Sequence, residues 1–354
     1  MELLELGAAL VVILLAAELF TNGIEWFGHK LNLAEGAVGS VLAAVGTALP
    51  ETMIPLVAIL LASGMADPSA GHDIGVGAIL GAPFMLATLA MFVTGIGVLA
   101  YRRRRTSGSV MPVDTNVLGM DIRYFFLAYA IAVGAALVPP DLAWLRYVAV
   151  VALIGIYAWY VKAHFQSDTS IDAVDLAPLR FRRVDRLAHR TDPSGAPRLR
   201  VVNFQVLVAL GMIIGGAFVF VDAVEHLAAS AGLDPVLLAL IIAPIATELP
   251  EKFNSLLWVR QGKDTLAMGN ITGAMVFQSC IPTAIGVILA ADAWTISSGS
   301  LLSFASAGIA FLSTAVIFLP MARRGSLNGR HLLIGGLFYV LYVVLVVARL
   351  AGVI

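Results

Sequence analysis

Apolar residues run through this chain in long blocks, broken at intervals by glycine, proline or a tight group of charges. A helix needs about 20 such residues to cross the hydrocarbon of a bilayer. Ten blocks are long enough, at residues 3–27, 36–62, 74–100, 120–138, 142–162, 201–228, 233–258, 265–290, 297–320 and 331–351. The pattern predicts an all-α membrane protein with ten transmembrane helices. Ten spans use roughly 200 positions, so connections are short and no sizeable soluble domain fits. The opening block carries Glu2 and Glu5 where a secretory leader has basic residues, and it lacks a small-residue cleavage site. It reads as a retained first span.

Composition agrees with this picture. Of 354 residues, 60% are hydrophobic and 13% charged, whereas a soluble domain has roughly 25% charged residues. The net charge of -1, from 22 basic and 23 acidic residues, gives nucleic acid no electrostatic hold. A single cysteine, Cys280, excludes an intrachain disulfide.

The positions of the basic residues set an orientation. Threading ten spans back and forth collects Lys30, Arg102 to Arg105, Arg180, Arg182, Arg183, Arg186, Arg190, Arg198, Arg200, Arg260, Lys263, Arg323, Arg324 and Arg330 on one face. The other face carries the connections Ala62 to Asp73, Pro139 to Asp141, Ala229 to Asp234 and the stretch around Asp292, with almost no basic residue. The positive-inside rule then places both termini of a multi-pass cell-membrane protein outside the cytoplasm. Lys162 to Arg200 is the one long connection, and it separates a first five-helix unit (1–162) from a second (201–354) by a basic linker (163–200). That linker reads as a solvated tether, although Phe181, Val184 and Leu187 also recur at helical spacing and suit a short helix on an anionic leaflet.

The two units repeat one another. Thr47-Ala-Leu-Pro-Glu51 returns 200 residues later as Thr247-Glu-Leu-Pro-Glu251, and the same offset lays Glu25 on Glu225 and Phe20 on Phe220. Downstream, Gly77-Ala-Ile-Leu-Gly81-Ala82 is matched by Gly269-Asn-Ile-Thr-Gly273-Ala274. With an odd number of spans in each unit, the second enters the membrane from the opposite side, which makes an inverted repeat.

Inverted repeats in transporters place the substrate near the midplane, on helices broken at matching positions. Pro50 and Pro250 supply such breaks, because proline has no amide hydrogen and frees the carbonyl four residues earlier. Oxygens around Ala44 to Thr47 and Pro244 to Thr247 thereby become available. Glu51 and Glu251 follow the breaks directly. A carboxylate in mid-span costs about 2.5–3.5 kcal/mol on insertion scales, so two at equivalent places point to a shared ion site. Gly77, Gly81, Gly269 and Gly273, spaced by four, allow close helix packing. Proline kinks and Gly-x-x-x-Gly spacings also occur as plain packing devices, and only the repeated Pro-Glu pair separates the two readings.

These residues resemble the alpha repeats of the cation/Ca2+ antiporter superfamily, which includes Na+/Ca2+ and H+/Ca2+ exchangers. The similarity is concentrated in Gly39 to Leu60 with Gly75 to Leu86, and in Leu238 to Trp258 with Asp264 to Thr283. The resemblance implies two inverted five-helix halves, a cytoplasmic central loop, and Glu51 and Glu251 as the central metal ligands, assisted by Thr47, Thr247 and backbone oxygens. The chain departs from the family pattern at Ala48 and Glu248, which stand where serine is usual. It departs again at Ala82, Leu86 and Ala274, which carry no side-chain oxygen. Gln278 and Asn270 remain as polar side chains in that stretch.

Glu248 has two readings: it adds a third carboxylate to the site and serves a proton relay, or it points outward and lines an aqueous path. Glu18, Glu25, Asp222, Glu225 and His226 lie near span ends and read as vestibule or interfacial groups. The sequence thus favours an antiporter that exports a divalent cation, Ca2+ first, with protons as counter-ion. An empty site of two or three carboxylates in low dielectric collects protons, while several Na+-type oxygens are missing. A Na+/Ca2+ exchanger and a monovalent Na+/H+ antiporter are the alternatives. No zinc-protease, nucleophile-elbow or phosphate-loop motif is present, so neither an enzyme nor a cofactor is expected. The expected partners are inorganic cations and the lipid bilayer.

Overall fold

The computed structural model describes residues 2–30, 45, 48–62, 68–165, 176–183, 197–231, 248–297 and 300–350. Its helices are α1 (Glu2–Lys30), α2 (Leu49–Leu61), α3 (Pro68–Met85), α4 (Met91–Tyr101), α5 (Thr115–Ala136), α6 (Trp144–Phe165), α7 (Leu199–Ala231), α8 (Leu249–Gln261), α9 (Asp264–Leu289), α10 (Leu301–Arg324), α11 (Gly329–Leu332) and α12 (Ile334–Leu350). A π-helical turn, Leu86–Ala90, joins α3 to α4 without a break in the span. Among the described residues, eight helices are long and apolar enough to cross a membrane, and α2 contributes a shorter apolar segment, Glu51–Leu61. Of the expected spans 36–62 and 233–258, only the later parts fall within the described residues.

Burial sorts these helices into inner and outer ones. Most residues of the spans Ile74–Tyr101 and Asp264–Leu289 are buried, whereas few of those in Trp144–His164 are. Outer helices present large apolar side chains to their surroundings: Leu3, Leu4 and Leu15 on α1, Tyr147, Val151 and Trp159 on α6, Leu207 on α7, and Leu337 and Val344 on α12. In water this surface is unfavourable; in a bilayer it is the lipid contact. α9 is the axis of the core. It packs against α5 and α6 on one side and against α2, α3 and α8 on the other.

α1 and α7 form a pair of their own, with α2 against them. The approach is close because glycine stands at the contacts: a Cβ added at Gly216 would lie 2.7 Å from Ile13 Cγ1, and one at Gly23 would lie 2.7 Å from Val206 Cγ2. Leu6, Ile13, Phe220 and Val224 fill the seam with Ile54 and Val57 of α2 and Ile74 of α3.

The connections gather at two ends of the bundle. At one end, a two-residue ladder, β1 (Val110–Met111) with β2 (Leu327–Asn328), ties the loop after α4 to the turn after α10. Arg105 reaches from the same loop to the turn between α8 and α9. It donates to Asp264 Oδ1 at 2.7 Å, to Asp264 Oδ2 at 2.6 Å and to the Val259 carbonyl at 2.5 Å. At the other end, Arg146 donates to the carbonyls of Ala291 (2.6 Å) and Val138 (3.4 Å). The first set of contacts joins connections that carry Arg102 to Arg105, Arg260 with Lys263, and Arg323 with Arg324; the second joins those around Pro139 and Asp292.

The linker differs from a solvated tether where it is described. Residues 176–183 are docked on the helices: Leu179 is buried with Trp26, Val201 and Val202. Trp26 Nε1 donates to the Ala177 carbonyl at 2.8 Å, and Gln205 Oε1 accepts from the Phe181 amide at 2.9 Å. The apolar positions of this segment have a protein surface to cover. Val184 and Leu187 lie outside the described residues, as does most of the linker.

Candidate functional site

α2 and α8 begin alike. Each has 13 residues, with proline in its first turn (Pro50, Pro250) and glutamate next (Glu51, Glu251). The preceding residues adopt nearly the same backbone angles, φ -85° and ψ 4° at Ala48, φ -80° and ψ 4° at Glu248. Proline suits this position because a first-turn amide has no acceptor within its helix. The uncompensated amides leave partial positive charge at each helix start, where a glutamate is stabilised. Glu51 is 4% exposed. The side chain of Glu251 lies outside the described residues, as do Thr47, Thr247, Ala44 and Pro244.

α9 packs against both α2 and α8. Asn270 and Gln278 project from it into the interior, and both are buried. Neither end of either amide has a hydrogen-bond partner among the described residues. A buried amide without partners costs about 1–3 kcal/mol, and an ion or water that it coordinates is one way such a cost is offset. The hydroxyls nearby are already committed: Ser279 to the Met275 carbonyl (2.7 Å), Thr283 to that of Gln278 (3.3 Å) and Thr52 to that of Ala48 (3.0 Å).

Gly77, Gly81, Gly269 and Gly273 are all buried. The close approach of α3 to α2 involves two other glycines that sequence reasoning passed over. A Cβ at Gly71 would lie 2.8 Å from the Ala58 carbonyl, and one at Gly75 would press on Ile59.

Glu248 is fully buried. Its Oε2 is 3.0 Å from Nζ of Lys252, itself only 5% exposed. Lys252 was missed by sequence reasoning, although a Glu-to-Lys spacing of four on one helix is a legible pairing signal. Glu18 and Arg180 form an exposed ion pair, and Asp222 lies 3.7 Å from His226 at another exposed position, which suits interfacial groups. The side chains of Glu25 and Glu225 lie outside the described residues.

A second buried polar cluster also escaped the sequence reading. Asp121 on α5 accepts from Tyr160 Oη at 3.0 Å and from Thr272 Oγ1 at 2.6 Å, and lies 3.4 Å from His164 Nε2. It joins α5, α6 and α9 beside Asn270 in sequence. An aspartate one residue inside an expected span was the available signal.

Comparison with known proteins places the chain. The family model described as sodium/calcium exchanger protein matches residues 2–165 and 203–351. A protein of Alkalimonas amylolytica named as a candidate antiporter, CaxA, is 24% identical over 286 residues, which cover 79% of this chain and 78% of the relative. Among solved structures, the H+/Ca2+ exchanger CAX superposes with a TM-score of 0.75 at 14% identity, covering 98% of this chain and 82% of that one. The sodium-calcium exchanger NCX_Mj gives a TM-score of 0.61 at 16% identity, covering 97% and 99%. The structural likenesses bear on the fold, and the family match spans both halves on either side of the linker. With apolar spans, two proline-started helices and this match together, the chain belongs to the sodium/calcium exchanger protein family.

Proposed function

We propose that this protein is a secondary active antiporter that moves a divalent cation, Ca2+ foremost, against protons by alternating access. The observation that carries the reading is the pair of matching helix starts, α2 and α8, each presenting a glutamate directly after a first-turn proline. In this reading the chain has ten spans arranged as two inverted five-helix halves, 1–162 and 201–354, with the 163–200 linker in the cytoplasm and both termini outside. The family match to both halves and the names of the solved relatives support it.

Ca2+ takes six to eight oxygens. Glu51 and Glu251 supply charge, Thr47, Thr247 and the carbonyls of Ala44 and Pro244 supply neutral oxygens, and Gln278 and Asn270 complete the set from α9. When the cation leaves, two carboxylates remain in a low-dielectric site, and taking protons removes the cost of occluding them. The site therefore crosses the membrane either with the metal ion or with protons, and strict exchange follows. Na+ coupling is a second reading, favoured by one specific observation: the uncommitted amides of Asn270 and Gln278 are oxygen donors that suit a monovalent ion as well.

Glu51→Gln and Glu251→Gln test the site, since an amide keeps the shape and removes the charge. Each variant is expected to reduce Ca2+ flux in proteoliposomes at least about 100-fold, the effect of losing a charged ligand worth about 3 kcal/mol. Near wild-type flux in either variant removes that residue from the mechanism.

A further inference from the structure

The turn that carries Glu251 holds a third carboxylate together with its own cation. Glu248 stands immediately before α8 and is fully buried; Lys252, four residues on, is buried with it, and their charged atoms are 3.0 Å apart. The equivalent positions in the first half are Ala48 and Thr52, a neutral pair in which the threonine hydroxyl donates to the alanine carbonyl. The second half has thus replaced a neutral i, i+4 pair with an ion pair. Withdrawing both a carboxylate and an ammonium from water is costly, and well-packed neutral residues would hold the helix start at least as well. Helix stability does not account for the pair.

Charge does. On the exchanger reading, Glu51, Glu248 and Glu251 together bring three negative charges to the site, and the ammonium of Lys252 reduces their sum to two. Two is the charge that one divalent cation neutralises. We propose that Lys252 is a tethered counter-cation which holds Glu248 out of the ligand set and so fixes the valence of the ion the site accepts. The inference rests on the exchanger reading above and adds to it a specificity-determining residue outside the repeated Pro-Glu motif.

The test is a comparison of Ca2+ and La3+ binding to the purified full-length protein in detergent, because La3+ is close to Ca2+ in size and carries one charge more. Lys252→Met is expected to raise the La3+ to Ca2+ affinity ratio about tenfold or more, since each added unit of site charge acts on every unit of ion charge. Glu248→Gln, with one negative charge left in the site, is expected to lower the ratio by a similar factor. The double variant restores two charges and is expected to return the ratio to within about twofold of the wild type, as is Lys252→Arg. A purely structural role weakens both ions together and leaves the ratio unchanged; an unchanged ratio in the folded single variants overturns the inference. Should Lys252→Met fail to fold, the Glu248→Gln arm decides the question alone. A wild-type protein that binds neither ion overturns the exchanger reading and the inference with it, whereas wild-type binding with an indifferent ratio overturns the inference only.

Discussion

Gln278 shows how much a single buried side chain can decide. Its amide is 1% exposed and unpartnered among the described residues, on a helix that packs against the one carrying Glu51. If it serves the cation, Gln278→Leu lowers Ca2+ affinity about tenfold while thermal stability is unchanged or rises by about 1–3 kcal/mol, because an unpaired amide has been removed. Parallel Ca2+ titration and thermal unfolding check both halves of this expectation. Asp121 is the opposite case. Asp121→Ala takes the acceptor from Tyr160 and Thr272 and is expected to cost about 2–3 kcal/mol of stability, read by thermal unfolding in detergent. These residues differ in how legible they were. Glu51 and Glu251 stood out because a carboxylate inside an apolar block is rare and this one occurs twice. The Asp121 cluster did not, because its partners lie 39 and 151 residues away and only packing of α5, α6 and α9 brings them together.

At the scale of elements, the hydrophobic blocks located the long helices to within a few residues, since a span must be apolar along its full length. Expected spans at 120–138 and 142–162 correspond to α5 at Thr115–Ala136 and α6 at Trp144–Phe165. The π-helical turn at Leu86–Ala90 was not legible, for its composition is that of the helices around it. Nor was the docking of residues 176–183, which depends on Trp26 and Gln205 from distant parts of the chain. Which helices pair was equally hidden. The α1–α7 contact depends on Gly23 and Gly216 rather than on the Gly-x-x-x-Gly positions that drew attention first. Gly216→Leu forces a side chain against Ile13 and is expected to destabilise the protein by about 1–3 kcal/mol, whereas Gly211→Leu, where a Cβ meets nothing within 4 Å, is expected to be close to neutral. Comparing the unfolding temperatures of the two variants measures the seam directly.

For the whole molecule, the arginine pattern reads as an address, and one of those arginines turns out to be a fastener. Arg105 is 8% exposed and binds Asp264 with two parallel hydrogen bonds, clamping the loop after α4 to the turn between α8 and α9. Arg105→Ala leaves a buried carboxylate uncompensated and is expected to cost about 3–5 kcal/mol, visible as a lowered unfolding temperature and a reduced yield of folded protein. Counting charges in loops could not separate this residue from Arg102 to Arg104, which are exposed. In the proposed reading, fold and function are joined by exchange through one site alternately open to each side. The most direct measurement is Ca2+ uptake into proteoliposomes at clamped voltage, with either a pH gradient or a Na+ gradient imposed. The account predicts uptake that follows the pH gradient, proceeds without Na+ and is lost in Glu51→Gln; uptake that follows the Na+ gradient and ignores the pH gradient contradicts it.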